Sequence, residues 1–389
     1  MLHITNAAIH TPDRIIERGS VTVDGARIVA VGPADGTPAP AGARRLDAGG
    51  RILAPGLIDL QLNGAFGHDF TADPATIWQV AAGLPRYGVT AFLPTIITSP
   101  LEQVSAGLRV VTGGPPNGFR GAAPLGLHAE GPFLNPQKKG AHNPQHLRPP
   151  TAGAVADWSP ASGMRLVTMA PELPGALDVI AMLSARGVVV STGHSLATYE
   201  EAVAGFDAGA RYGTHLFNAM PALAHRDPGL PGALLTDERM TVGFIADGTH
   251  THRAIIDLVW RVLGPRRLNL VTDAMAALGM PPGRHRLGEY DVIVDGTSCR
   301  LDDGTRAGSV LAGSILEMDQ ALRNLIAVTG CSLGEALETM TTTPARLLGM
   351  ERERGRIAPG FAADMVLLSS DLRVQTTIAA GEVVYSVPA

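Results

Sequence analysis

The chain has 389 residues, 45% hydrophobic and 17% charged, with a formal net charge of -5 and two cysteines. That much apolar material excludes a disordered chain. The mildly acidic balance excludes an electrostatic footprint for nucleic acid, and two cysteines, Cys299 and Cys331, are too few for a disulfide framework and read as ordinary thiols.

The first segment, residues 1–54, holds short alternating stretches with Asp24-Gly25 in hairpin-turn position, and residues 356–389 share its texture. Both ends are expected to form one small β-sandwich domain, because the termini of a domain often lie close together. Between them, residues 55–355 alternate β-type runs with helical patterns. The runs are Leu57 to Asn63, Val89 to Pro94, Pro124 to Glu130, Arg165 to Ala170, Val188 to His194, Ala210 to Leu216, Thr241 to Asp247 and Leu268 to Asp273. Helix starts are expected at Asp73-Pro74, Ser99-Pro100, Ser195, and Ser332 with Glu335 as a capping box. This α/β pattern predicts a (β/α)8 TIM-like barrel. Residues 280–314 interrupt it with hairpin turns expected at Asp295-Gly296 and Asp303-Gly304, a lid or wall leaving the barrel's C-terminal end. The N-terminus lacks a basic-then-apolar leader, and no apolar run reaches about 18 residues, so a cytoplasmic protein is expected, with neither a membrane nor a nucleic-acid partner.

Five strand ends carry a candidate ligand, acid or base: His128 and Glu130, His194, His215 with Asn218, Asp247 with His250, and Asp273. A barrel brings such ends together. Histidines and carboxylates meeting there suit a divalent metal such as Zn²⁺ with an open position for water. His128 shares a strand face with Glu130 but lies deeper, which favours a supporting role. Asp59, Gln61 and Asn63 share one face of the first strand, where buried polar groups need partners. Lys138 and Lys139, the only lysines, stand on a loop beside the site and read equally as solvated surface.

The ordered set "APGLIDLQLNG", "HAEGPFLNPQKKGAHNP", "STGHS", "GTHLFNAMPALAHRDPG", "ADGTH", "LVTDAM" and "LAGS" resembles the amidohydrolase superfamily, over nearly the whole chain. Within it, the resemblance is to enzymes that hydrolyse the acetamide of N-acetyl-D-glucosamine 6-phosphate to D-glucosamine 6-phosphate and acetate in amino sugar catabolism. It implies Glu130, His194 and His215 as ligands of one divalent metal per chain, with Zn²⁺ the expected ion. Asp273 is implied as acid/base and His142 as the partner of the acetamido carbonyl. Asn218 and Ala219 would meet the sugar, His250 and Arg226 the phosphate, with Arg226 supplied by the neighbouring subunit of a homodimer. Ala141 stands where relatives often carry a hydroxyl, a contact expected through backbone, and Leu311, Ala312 and Gly313 match a substrate wall. Many amidohydrolases place an HxH pair at the end of the first strand to hold a second metal. Gln61 and Asn63 stand there instead and are poor zinc ligands, so they are expected to hydrogen-bond water or substrate beside a mononuclear site.

Two alternatives stay open: a deacetylase of N-acetylgalactosamine 6-phosphate or another N-acyl amino sugar phosphate, and a non-catalytic scaffold on the same fold. The second would be expected to lose ligands, yet Glu130, His194, His215 and Asp273 are all present.

Overall fold

The eight apolar runs pair side by side as parallel strands: β1 (Leu57–Leu62), β2 (Val89–Ile97), β3 (Leu127–Glu130), β4 (Met164–Met169), β5 (Val189–Thr192), β6 (Tyr212–Gly213), β7 (Thr241–Phe244) and β8 (Leu268–Leu270). They belong to a computed structural model that describes residues 1–11, 14–302 and 310–388. Neighbours follow chain order around the ring. It closes where Leu62 bridges Ala274, where the Asp273 amide donates to the Gln61 carbonyl (2.9 Å) and the Asn63 amide to the Ala274 carbonyl (2.7 Å). A strand covered on both faces needs apolar side chains on both, which is why β2 is buried at all nine positions.

Helices cover the outside. Leu101–Thr112 turns Val104, Gly107 and Leu108 inward. A Cβ on Gly107 would lie 2.5 Å from Cδ1 of Ile96, so glycine lets this helix close onto the sheet. The capping box of Ser332 and Glu335 opens helix Leu333–Glu338 as expected, and Asp73 caps a short 3-10 turn. The start expected at Ser195 falls at Tyr199, capped by Thr198 and Glu201. Ser195 is engaged elsewhere, donating to Glu172 and accepting from the Ala197 amide. At Ser99-Pro100 the helix begins after Pro100 with no side-chain cap.

Strands from both ends share one mixed sheet: Glu382–Ser386, Val374–Ala379, Met365–Leu368, Ile52–Pro55, Leu2–His10, Ile15–Asp24 and Arg27–Pro33 in spatial order, with Arg44–Asp47 beside Leu2–His10. The two-residue turn joining Ile15–Asp24 to Arg27–Pro33 is Gly25-Ala26, one position past the expected Asp24-Gly25, because Asp24 still pairs with Arg27; Gly25 adopts φ 54°. This sheet has its own core, in which Ile4, Ile9, Val21, Ile28, Leu53 and Met365 pack together.

The segment after β8 forms an antiparallel sheet of Gly283–Leu287, Tyr290–Val294 and Cys299–Leu301. Its turn at Asp295-Gly296 matches expectation, whereas Asp303-Gly304 lies outside the described residues. A turn not anticipated, Gly288-Glu289, joins the first two strands and points back at the barrel. Gly288 adopts φ +55° and donates its amide to Asp69 at 2.9 Å. Leu287, Val292, Val294 and Cys299 pack with Ile97, Ala141 and Met275 as a third core, which fixes the insertion over the barrel mouth.

Candidate active site

Three strand ends deliver the centre of the site. Glu130 closes β3, while His194 and His215 follow β5 and β6 where the backbone leaves the ladder. Both histidines, and Asp273 after β8, adopt positive φ (49°, 30° and 50°), a conformation costly for a side chain bearing a Cβ. That turn aims each side chain over the barrel mouth. Glu130 Oε1 lies 3.1 Å from His194 Nε2 and 3.0 Å from His215 Nε2, and the two imidazole nitrogens are 3.0 Å apart. All three side chains are buried.

The tautomer of His194 follows from its other nitrogen. Nδ1 lies 2.8 Å from the Lys138 carbonyl, which can only accept, so Nδ1 carries the proton and Nε2 turns a lone pair to the centre. A carboxylate oxygen and imidazole nitrogens converging this closely are a divalent-cation donor set, and these residues fit one. Although burial alone would raise the Glu130 carboxyl, the imidazoles of His194 and His215 beside it hold it well below its ordinary value.

His142 carries the opposite tautomer. Its Nδ1 accepts from the Thr98 amide at 3.2 Å and meets the Thr98 hydroxyl at 2.8 Å, so the proton sits on Nε2, 4.0 Å from Glu130 Oε2. Burial, then the neighbouring His194, pushes its pKa down to about 3. It is a neutral donor facing the cavity.

The two amides of β1 find partners. Asn63 Nδ2 donates to Asp273 Oδ1 at 2.7 Å, and Gln61 Nε2 donates to the same oxygen and to Glu130 Oε1, each at 3.1 Å. Their donors are spent on carboxylates, and Gln61 Oε1 and Asn63 Oδ1 have no partner among the described residues. Burial, then the charge of Glu130, raises the Asp273 carboxyl to about 6. Asp273 Oδ1 is thereby pinned, and Oδ2 has no hydrogen-bond partner among the described residues.

A cavity of about 590 Å³ opens above these groups. Asn63, Ala141, His142, Asn218, Ala219, His250, Leu311 and Gly313 line it beside the centre. His250 holds Asp247 Oδ2 through Nδ1 at 2.6 Å, so Asp247 orients His250 instead of facing the centre itself. A Cβ on Gly313 would lie 3.0 Å from the Asp273 carbonyl, which explains a glycine at that wall. Ala312 is fully buried in the insertion's core and does not line the cavity. Arg226 stands on an exposed loop, away from the lining. Lys138 and Lys139 do line the cavity, with Lys138 Nζ on the Met220 carbonyl at 2.8 Å. His128 lies beneath it, bonded to Thr95 (3.1 Å) and Thr168 (2.8 Å); burial first, partly offset by Glu130, lowers it to about 4, so it supports the floor as a neutral ring.

Several supports escaped sequence reasoning. Thr98, which sets the His142 tautomer, is an unremarked hydroxyl after β2. Glu172 binds Asn135 Nδ2 (2.9 Å), Ser195 Oγ (2.7 Å) and the Leu196 amide (2.7 Å), tying together the loops around His194. An acid just past β4 was its signal. Asp59, legible only as part of a polar face, accepts from the Thr272 hydroxyl at 2.5 Å and braces β1 against β8; burial, partly offset by that bond, raises it to about 7.

Residues 52–384 match the amidohydrolase family. The human N-acetylglucosamine-6-phosphate deacetylase is 44% identical over 362 residues, 89% of this chain and 86% of the human one. An N-acetylgalactosamine-6-phosphate deacetylase of Escherichia coli O157:H7 is 39% identical over 341 residues, 87% of this chain and 88% of that one. Among solved structures, a mutant N-acetyl-D-glucosamine-6-phosphate deacetylase of Mycobacterium smegmatis in complex with N-acetyl-D-glucosamine-6-phosphate superposes with a TM-score of 0.88 at 36% identity, covering 99% of each chain.

Proposed function

We propose a reaction for this chain from one premise: it belongs to the amidohydrolase family. It hydrolyses N-acetyl-D-glucosamine 6-phosphate to D-glucosamine 6-phosphate and acetate. The observation that carries this beyond the family is the opposed tautomers of His194 and His142, one offering a lone pair to a cation and the other a proton to an oxygen.

Glu130, His194 and His215 would hold one divalent ion, with zinc suited to two imidazoles and a carboxylate. Such an ion, when bound, supplies a water acidified to a pKa of roughly 7 and polarises a carbonyl. The rest falls to the chain's own side chains. Asp273 takes the water's proton on its unengaged oxygen and delivers it to the departing amine, which leaves poorly unless protonated. His142 donates from Nε2 to the acetamide oxygen as negative charge develops there. Asn218 and Ala219 hold the sugar, and His250, oriented by Asp247, meets the phosphate. Ala141, Leu311 and Gly313 shape the walls, and Gln61 and Asn63 act by fixing Asp273. Catalysis belongs to the barrel unit, residues 55–355, with 1–54 and 356–389 as the second domain. Among the described residues no helix is long and apolar enough to cross a membrane, and we place the enzyme in the cytoplasm.

Arg226 is exposed and absent from its own chain's cavity, which supports a reading in which it enters the site of a second subunit of a homodimer. A guanidinium suits a dianionic phosphate through paired, charge-assisted contacts. The test follows amine and acetate release from the phosphorylated and unphosphorylated gluco and galacto epimers. Wild type is expected to favour N-acetylglucosamine 6-phosphate, and Arg226→Ala to lower kcat/KM on it by about tenfold or more while barely touching the unphosphorylated sugar. Equal losses on both would remove Arg226 from phosphate binding. Mixed Arg226→Ala and Asp273→Asn subunits are expected to regain activity, since one hybrid site holds both intact residues.

A mononuclear centre makes a separate prediction. After exhaustive dialysis the wild type is expected to retain about one divalent ion per chain, and Gln61→His with Asn63→His to gain metal capacity without gaining activity, since nothing orients the new rings. Two fully occupied ions in the wild type, one touching Gln61 or Asn63, would overturn it.

A further inference from the structure

A second cavity, of about 390 Å³, lies behind the first, and the two share Ile97 and Ala141 in their walls. These residues are adjacent for a reason. Ala141 precedes His142 and Ile97 precedes Thr98, so the Thr98–His142 hydrogen bonds bring the two residues near each other, and both side chains pack in the insertion's core. Ile97 is 5% exposed and Ala141 8%. The glycine turn of the insertion closes behind Ile97: a Cβ on Gly288 would lie 3.3 Å from Ile97 Cδ1, and Asp69 holds the Gly288 amide at 2.9 Å. These two side chains form a septum common to both cavities.

Resting on the deacetylase reading above, we propose that Ile97 and Ala141 limit the length of the acyl group the enzyme accepts, because they close the acyl end of the active cavity against the second one. With the acetamide oxygen at His142 Nε2, the methyl carbon is one bond from the carbonyl carbon and must sit beside the imidazole. The methyl is the only wholly apolar appendage of an N-acetylhexosamine phosphate, and Ile97 and Ala141 are apolar wall residues of this cavity, each adjoining in sequence one partner of the Thr98–His142 hydrogen bond. A longer linear acyl chain would run into Ile97, while beyond it there is room among Ser99, Gln103 and His146.

The test measures kcat/KM for amine release from N-formyl, N-acetyl, N-propionyl and N-butyryl glucosamine 6-phosphate. Ratios between substrates are read because they do not depend on the amount of folded enzyme. Removing a septum methylene group or more is expected to matter by about tenfold or more. Ile97→Ala should therefore raise the butyryl-to-acetyl ratio by at least that factor, and Ile97→Val, a smaller cut should the first variant fold poorly, should raise the propionyl-to-acetyl ratio. Ala141→Val thickens the wall and should raise the formyl-to-acetyl ratio. Ratios unchanged from an active wild type would overturn the septum while leaving the reaction intact. Absence of amine release from the acetyl compound by the metal-loaded wild type would instead overturn the reaction and the septum with it.

Discussion

Asp273→Asn is expected to lower turnover by about 10² or more while leaving bound metal unchanged. The substitution preserves shape and the contacts that pin the side chain. Its remaining oxygen still accepts from Asn63 and Gln61, which donate to Oδ1 at 2.7 and 3.1 Å in the wild type. What disappears is the lone pair on the unengaged side, which an amide nitrogen cannot supply. A proton from water then has no acceptor, and the leaving amine no donor. Asp273 is not among the three groups whose ligand atoms converge, so metal content separates the outcomes. Turnover near the wild-type value would remove Asp273 from the mechanism, and a parallel loss of metal would make it a ligand.

His194→Ala and Glu130→Ala should fail in the opposite order, losing metal first and activity with it. Each removes one of three atoms that sit 3.0 to 3.1 Å apart in a buried pocket. Glu130→Ala also strips the negative charge that balances a cation there, and leaves two imidazoles facing each other without a partner. We expect metal after dialysis to fall from about one ion per chain to a small fraction, and turnover to fall further than in Asp273→Asn. Metal analysis beside the activity assay checks this directly. Stoichiometric metal retained in either variant would show that the ligand set is wrong.

Both predictions concern residues that sequence alone brings under suspicion, yet for different reasons. Glu130, His194, His215 and Asp273 each end an apolar run, and the barrel's topology gathers strand ends whatever their distance in sequence. Gln61 and Asn63 were visible as misplaced polarity on β1, but their partners were not. Sequence reading directed them to water or substrate, and their amide oxygens do remain without a partner among the described residues, but their donors go to Asp273 beside β1 at the ring closure and, for Gln61, to Glu130 on β3 beyond β2. Ser195 shows the same limit on a smaller scale. Its type and position read as a helix cap, but its hydroxyl is drawn to Glu172, and the cap moves to Thr198.

By itself the sequence determined the eight strands, the sheet built from both chain ends and the order of the chemical groups around the barrel mouth. These depend on periodicity and turn chemistry, which are local. Only the tertiary structure decided which proton sits on which ring. The tautomers of His194 and His142 are set by the Lys138 carbonyl and the Thr98 amide, partners 56 and 44 residues away. It likewise decided that Ala312 is core while Leu311 and Gly313 are wall, and that Ile97 and Ala141 stand between two cavities. A side chain's chemistry is written in its type, but hydrogen bonding acts over about 3 Å. Which groups come within that range is a property of the folded chain.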